Sequence, residues 1–152
     1  MNELEEGTAL RIDFQKIHRA AQSSHGLIPV VLQHADTKEV LFVGYANDLA
    51  LRASLETGRA VLWSASRDQL WPKGATSGDT LDLVDVRVNC EQNALLYLVK
   101  PAKGGVCHTT DDRGATRTTC FYRHIGGDGL QFIDGFGPGG PGDQDATVAS
   151  VE

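Results

Sequence analysis

The sequence predicts an α+β domain that is mostly β, carrying one or two short helices. Three observations support this: strand-like apolar runs recur along the chain, turn-forming residues separate them, and few segments show helical spacing. At 152 residues the chain can bury one core without disulfide staples. Its hydrophobic fraction of 41% and charged fraction of 22% are those of an ordinary globular domain.

The elements follow in order. Arg11 to Ser23 reads as a helix, with Asp13 as its cap and Phe14, Ile17 and Ala21 on one face. "GLIPVVLQHA" from Gly26 and "KEVLFVGYA" read as strands joined by the turn-like "ADTK", which predicts a hairpin. Asn47 caps a short helix with Leu51 and Leu55 one turn apart, ending at Gly58. "RAVLWSAS" is a third strand, and the polar stretch from Ser66 to Gly78 reads as a loop.

"LDLVDVRVNC" alternates, which places Val84, Val86, Val88 and Cys90 on one face. "ALLYLVK" is nearly continuous in apolar residues and so predicts a well-buried strand. "TTCFYRHI" is the last strand, and it closes a domain running from residue 8 to 125. Residues 126–152 hold eight of the 17 glycines and read as a flexible tail, although Leu130, Phe132, Ile133 and Phe136 offer local docking points.

A net charge of -6 argues against broad nucleic-acid binding, which needs a basic face to displace counterions from phosphates. A small phosphorylated ligand remains compatible, because Lys73, Lys100, Lys103, Arg113 and Arg117 crowd the region of the cysteines. No apolar run approaches the roughly 20 residues that span a bilayer, and the acidic start lacks the pattern of a secretory signal. The expectation is a cytoplasmic protein with no membrane partner.

All three cysteines, Cys90, Cys107 and Cys120, fall within one short stretch, and His108 follows Cys107. An odd number in a reducing compartment is no disulfide framework. Three thiolates suit zinc and leave a fourth position for water, whose pKa zinc lowers to near 7, and His108 is placed to shuttle its proton. The gaps of 17 and 13 residues match no compact metal knuckle, so plain burial of the cysteines stands beside metal binding.

Several stretches agree with a single family. "GLIPVVLQ", "EVLFVGYAN", "SASRDQLWPKGATSGD", "ALLYLV", "CHT" and "CFYR" occur in the order that the phosphoribosyl-AMP cyclohydrolases show, and the chain resembles that family from about Gly26 to Arg123. The resemblance implies a strongly bent sheet or pseudo-barrel in an intertwined homodimer, with zinc held by Cys90, Cys107 and Cys120 contributed from both chains. It implies hydrolytic opening of the adenine ring of 1-(5-phosphoribosyl)-AMP between N1 and C6, a step of histidine biosynthesis. His108 becomes the catalytic candidate. Ser64, Ser66, Arg67, Trp71, Lys73, Thr76 and Ser77 become the substrate loop, with hydroxyls and cations for phosphate and Trp71 for stacking on a base.

The match also has departures. Where the family sets aspartates around its first zinc cysteine to bind magnesium, this chain has Asn89, Glu91 and Asn93, so a magnesium site there is doubtful. Asp111 and Asp112, in a lengthened loop, read as solvated. Ala75 replaces a carboxylate in the substrate loop, and His34 stands where an acidic residue is usual. These changes suggest a divergent member. Two alternatives remain at this point: a related zinc hydrolase for another purine-like nucleotide, and a non-catalytic zinc-stabilised dimer that binds a nucleotide.

Overall fold

A computed structural model describes residues 2–22 and 26–139. It is mostly β with few short helices, as the alternating runs predict. The central sheet has four strands: β1 (Ile28–His34), β2 (Val40–Ala46), β5 (Leu81–Val88) and β6 (Leu95–Pro101), in the order β2-β1-β6-β5. β1 and β2 form the expected antiparallel hairpin, β1 runs parallel to β6, and β5 returns antiparallel to β6. The sheet is open: no barrel closes among the described residues.

Placing β6 inside the sheet explains its apolar sequence. Tyr97 and Val99 are fully buried, and they join Val30, Leu32, Phe42 and Leu62 in one core. β3 (Val61–Ser64) pairs with β4 (Gln69–Pro72), so part of the expected Ser66–Gly78 loop is a strand. Four residues ending in proline are too short for alternation to mark them as a strand.

Helix α3 (Asp48–Thr57) forms where Asn47 and Gly58 predict it. The Asn47 side chain accepts from the Ala50 N–H, and Gly58 sits at φ 72 as the left-handed C-cap. Of the expected Leu51 and Leu55, Leu51 packs partly buried against the core. Ala50 and Ser54 are the buried pair, Leu55 is exposed, and Ser54 Oγ both donates to the Val61 carbonyl and accepts the Val61 N–H. A small hydroxyl face lets the helix sit close on β3.

The expected helix over residues 11–23 shortens to α2 (Lys16–Ala20), and residues 23–25 lie outside the described set. Asp13 does accept from the Gln15 N–H, but Phe14 and Ile17 are exposed and Ala20, not Ala21, is buried. An earlier helix, α1 (Glu3–Glu6), starts at Asn2, whose side chain accepts from Leu4 N–H.

Alternation breaks in β5. The register shifts between Leu83 and Asp85, so Leu83 and Val86 pack on the core while Val84 and Val88 are exposed. A bulge adds one residue and flips every later side chain. Cys90 lies beyond the end of the strand and is exposed, as Val88 is, so no buried valine face holds it.

Thr118 to Tyr122 form no strand. The last pair is β7 (Arg123–Gly126) with β8 (Gly129–Phe132), a hairpin that spans residues 125 and 126. Phe132 stacks on Tyr122 at 6.1 Å between ring centroids, and Ile133 N–H donates to the Tyr122 carbonyl. The remaining residues, 140–152, lie outside the described set.

Candidate active site

Two chain segments run side by side at the end of the core. Val106 and Cys107 N–H groups both donate to the Arg117 carbonyl, and Arg117 N–H donates to the Thr109 carbonyl. Gly105 permits the approach, because a Cβ there would lie 2.5 Å from the Thr116 side chain. The turn that joins the segments is organised by Asp111, whose carboxylate accepts from the Arg113 and Ala115 N–H groups and from the Arg113 guanidinium. Asp111 is thus buried, against the expectation of a solvated residue, while Asp112 is exposed.

Beyond this ladder, Cys120 N–H donates to the Leu41 carbonyl, fixing the second segment to β2. The result brings the Cys107 and Cys120 sulfurs into hydrogen-bonding contact. The Cys107 thiol is pulled down to about 6, first by Cys120, against burial, and further by the Thr109 hydroxyl, the Thr109 N–H and nearby His108.

The pair opens on a cleft lined also by Phe42, Trp71, Lys73, Val106 and His108. Trp71 lies tilted against Phe42 at 6.3 Å, and the Lys73 ammonium sits 5.8 and 5.9 Å from the Phe42 and Trp71 ring centroids. The cavity of about 20 Å³ admits a water or an ion, not a nucleotide.

Of the expected substrate loop, Trp71 and Lys73 therefore meet the cysteines and His108. Ser64 is buried and organises the β3–β4 turn, accepting the Arg67 N–H and contacting the Ser66 hydroxyl at 3.3 Å. Ser66, Arg67, Thr76 and Ser77 are exposed, and none of them lines the cleft. His34 belongs to the β1–β2 turn, where Nδ1 accepts the Asp36 and Thr37 N–H groups.

Cys90 does not reach the other two. Among the described residues no group of three or more His, Cys, Asp and Glu side chains is placed to hold a metal. Cys107 and Cys120 fit half of a soft-metal shell: adjacent sulfurs, one with its thiol pulled down, at a cleft large enough for an ion.

The aspartate-replacing positions do not fit magnesium. Asn89 Nδ2 donates to Asn93 Oδ1 at 2.7 Å, Asn93 Nδ2 donates to Glu91 Oε2 at 3.1 Å, and Asn89 Oδ1 accepts the Asn93 and Ala94 N–H groups. The oxygens a hard cation needs already bind amide protons, and only one of the three side chains is a carboxylate.

Two residues at the site escape sequence reasoning. Glu5 Oε1 lies 2.7 Å from His108 Nε2, and Glu6 forms a bidentate pair with the fully buried Arg117 at 2.7 and 2.8 Å. Contacts across more than 100 residues leave no local pattern. The available signal was Asn2 followed three residues later by Glu5, the capping spacing that starts α1.

Paired thiols, an imidazole and a cation against an aromatic wall are groups that hydrolytic chemistry can use. The profile of the family described as Phosphoribosyl-AMP cyclohydrolase matches residues 42–122. The chain is 48% identical over 103 residues to the phosphoribosyl-AMP cyclohydrolase of Archaeoglobus fulgidus, covering 68% of this chain and 89% of that one. It is 41% identical to the phosphoribosyl-AMP cyclohydrolase of Rhodopseudomonas palustris over 87% of this chain and 80% of that one. A histidine biosynthesis bifunctional protein of Aquifex aeolicus is 39% identical over 72% of this chain and 50% of its own length. The chain belongs to the phosphoribosyl-AMP cyclohydrolase family, and it is an enzyme of that kind, a hydrolase of histidine biosynthesis.

Proposed function

We propose that this enzyme opens the adenine ring of 1-(5-phosphoribosyl)-AMP by hydrolysis between N1 and C6, at a site shared by two copies of the chain. Zinc would be held by Cys107 and Cys120 of one subunit and Cys90 of the other. The observation that carries the reading is the Cys107–Cys120 pair beside Trp71, Lys73 and His108, with the third cysteine exposed elsewhere on the same chain. When bound, zinc acidifies water toward neutral pH and so supplies a nucleophile that bulk solvent lacks.

The chain's own groups do the rest. Trp71 offers π surface to the base, and Lys73 offsets charge beside it. Arg67, Thr76 and Ser77 are exposed and carry the donors that phosphate groups need. His108 takes a proton from the attacking water and returns one to N1 as the C6–N1 bond breaks, giving the formimino carboxamide ribotide. C6 is electrophilic because N1 carries the ribosyl substituent. Free thiols at all three cysteines suit a reducing cytoplasm.

The test is subunit mixing. Purified enzyme should carry zinc and open the ring by absorbance without added magnesium, while Cys90→Ala and Cys107→Ala should each be inactive. Mixed after dissociation, the two inactive variants should recover about a quarter of wild-type activity, since half of the dimers are mixed and each then holds one intact site of two. No recovery, with dimers shown to exchange, would refute the shared site. A folded, zinc-loaded wild type without turnover would refute the substrate.

A further inference from the structure

We propose that Glu5, delivered by the N-terminal helix α1, is a positioning residue that orients His108 and holds a proton on its Nε2. The inference deepens the proposed role of His108 and rests on it. Glu5 Oε1 lies 2.7 Å from Nε2, with the two side chains only 18% and 23% exposed. A carboxylate offers acceptors only, so the ring nitrogen facing it carries the hydrogen. The bond one ring nitrogen makes sets the tautomer of the other, which leaves Nδ1 the unprotonated nitrogen of the neutral ring.

The contact is built into the fold. Tyr122 Oη donates to the Glu5 carbonyl at 2.9 Å, and Arg123 donates to the Gly7 carbonyl at 2.9 Å. Next to them, Glu6 is locked on buried Arg117, and Leu130 N–H donates to the Thr8 carbonyl. These anchors hold the backbone of residues 5–8 against the Cys107–Tyr122 ladder independently of the Glu5 side chain. Residues 5–8 precede the 42–122 span matched by the family profile.

The zinc-loaded enzyme tests it by ring-opening kinetics and nitrogen-15 spectra of labelled histidine. Glu5→Ala should lower kcat roughly tenfold with KM within about twofold, and should cost the His108 Nε2–H signal its hydrogen-bonded position. Zinc content and melting temperature should stay at wild-type values. Glu5→Gln, which keeps an acceptor at the same reach, should restore most of kcat. In a His108→Ala background the Glu5→Ala change should have no further effect.

Should Glu5→Ala prove unfolded, Glu5→Met keeps the stem without the acceptor and should show the same loss. Unchanged kcat in a folded variant, or an equal loss in the His108→Ala background, would overturn the assignment. A rise in kcat would also overturn it, marking the contact as inhibitory. Failure of the wild type to open the ring would instead sink the proposed function itself.

Discussion

Cys107 shows how one residue joins folding to chemistry. Its thiol is lowered from 9.0 to about 6, so its folded thiolate stabilises the protein above the unfolded value. That contribution is lost as pH falls through the folded value. The metal-free protein should therefore melt progressively lower between about pH 9 and pH 6, and Cys107→Ala should flatten the slope in a calorimetric series. Zinc retention, followed by a colorimetric chelator, should fall away below about pH 6 as the thiolate is protonated. The residues that the "CHT", "CFYR" and "LWPKG" stretches mark do assemble, with Trp71, Lys73, Cys107, His108 and Cys120 around one cleft. Glu5 and Arg117 were illegible because their partners are set by tertiary folding, and Asp111 read as solvated because a turn-organising carboxylate looks like any loop acid.

Elements differ in how far they support the site, and two glycine and cap positions separate the effects. Asn47→Ala removes the α3 cap and should cost about 1 kcal/mol, a shift of a few degrees in melting temperature with little change in activity. Gly105→Ala places a Cβ 2.5 Å from Thr116 and should cost about 1–3 kcal/mol, and by spreading the ladder it should also reduce zinc content and turnover. Equal activity loss in both variants would refute the distinction. Legibility followed length and period: β1, β2, α3 and β6 stood out because their apolar spacing and caps agree. β4 is too brief to alternate, β8 hides among glycines, and the β5 bulge at Val84 turns a clean alternation into a misleading one.

At the scale of the molecule, the proposed zinc shell would need a second chain, since Cys107 and Cys120 line the cleft and Cys90 does not. Nothing in the alternating pattern reveals this, since period reports which face is covered but not by whose atoms. The Arg117–Glu6 pair carries the other global prediction. Arg117 is fully buried with its guanidinium 4.0 Å from the Tyr122 ring, so Arg117→Ala would strand the Glu6 carboxylate and should destabilise by about 3–5 kcal/mol in chemical denaturation. Glu6→Gln should cost less, because the amide still accepts from the guanidinium. The same Glu6 Oε1 accepts the Gly139 N–H at 2.6 Å, so residues far apart in the chain meet at one carboxylate. A circle could be made there: linking residue 139 back to residue 2 through added residues, which keeps α1 and Glu5, and cutting at the exposed Lys38 turn would yield a permuted chain whose new ends lie at the turn of the β1–β2 hairpin.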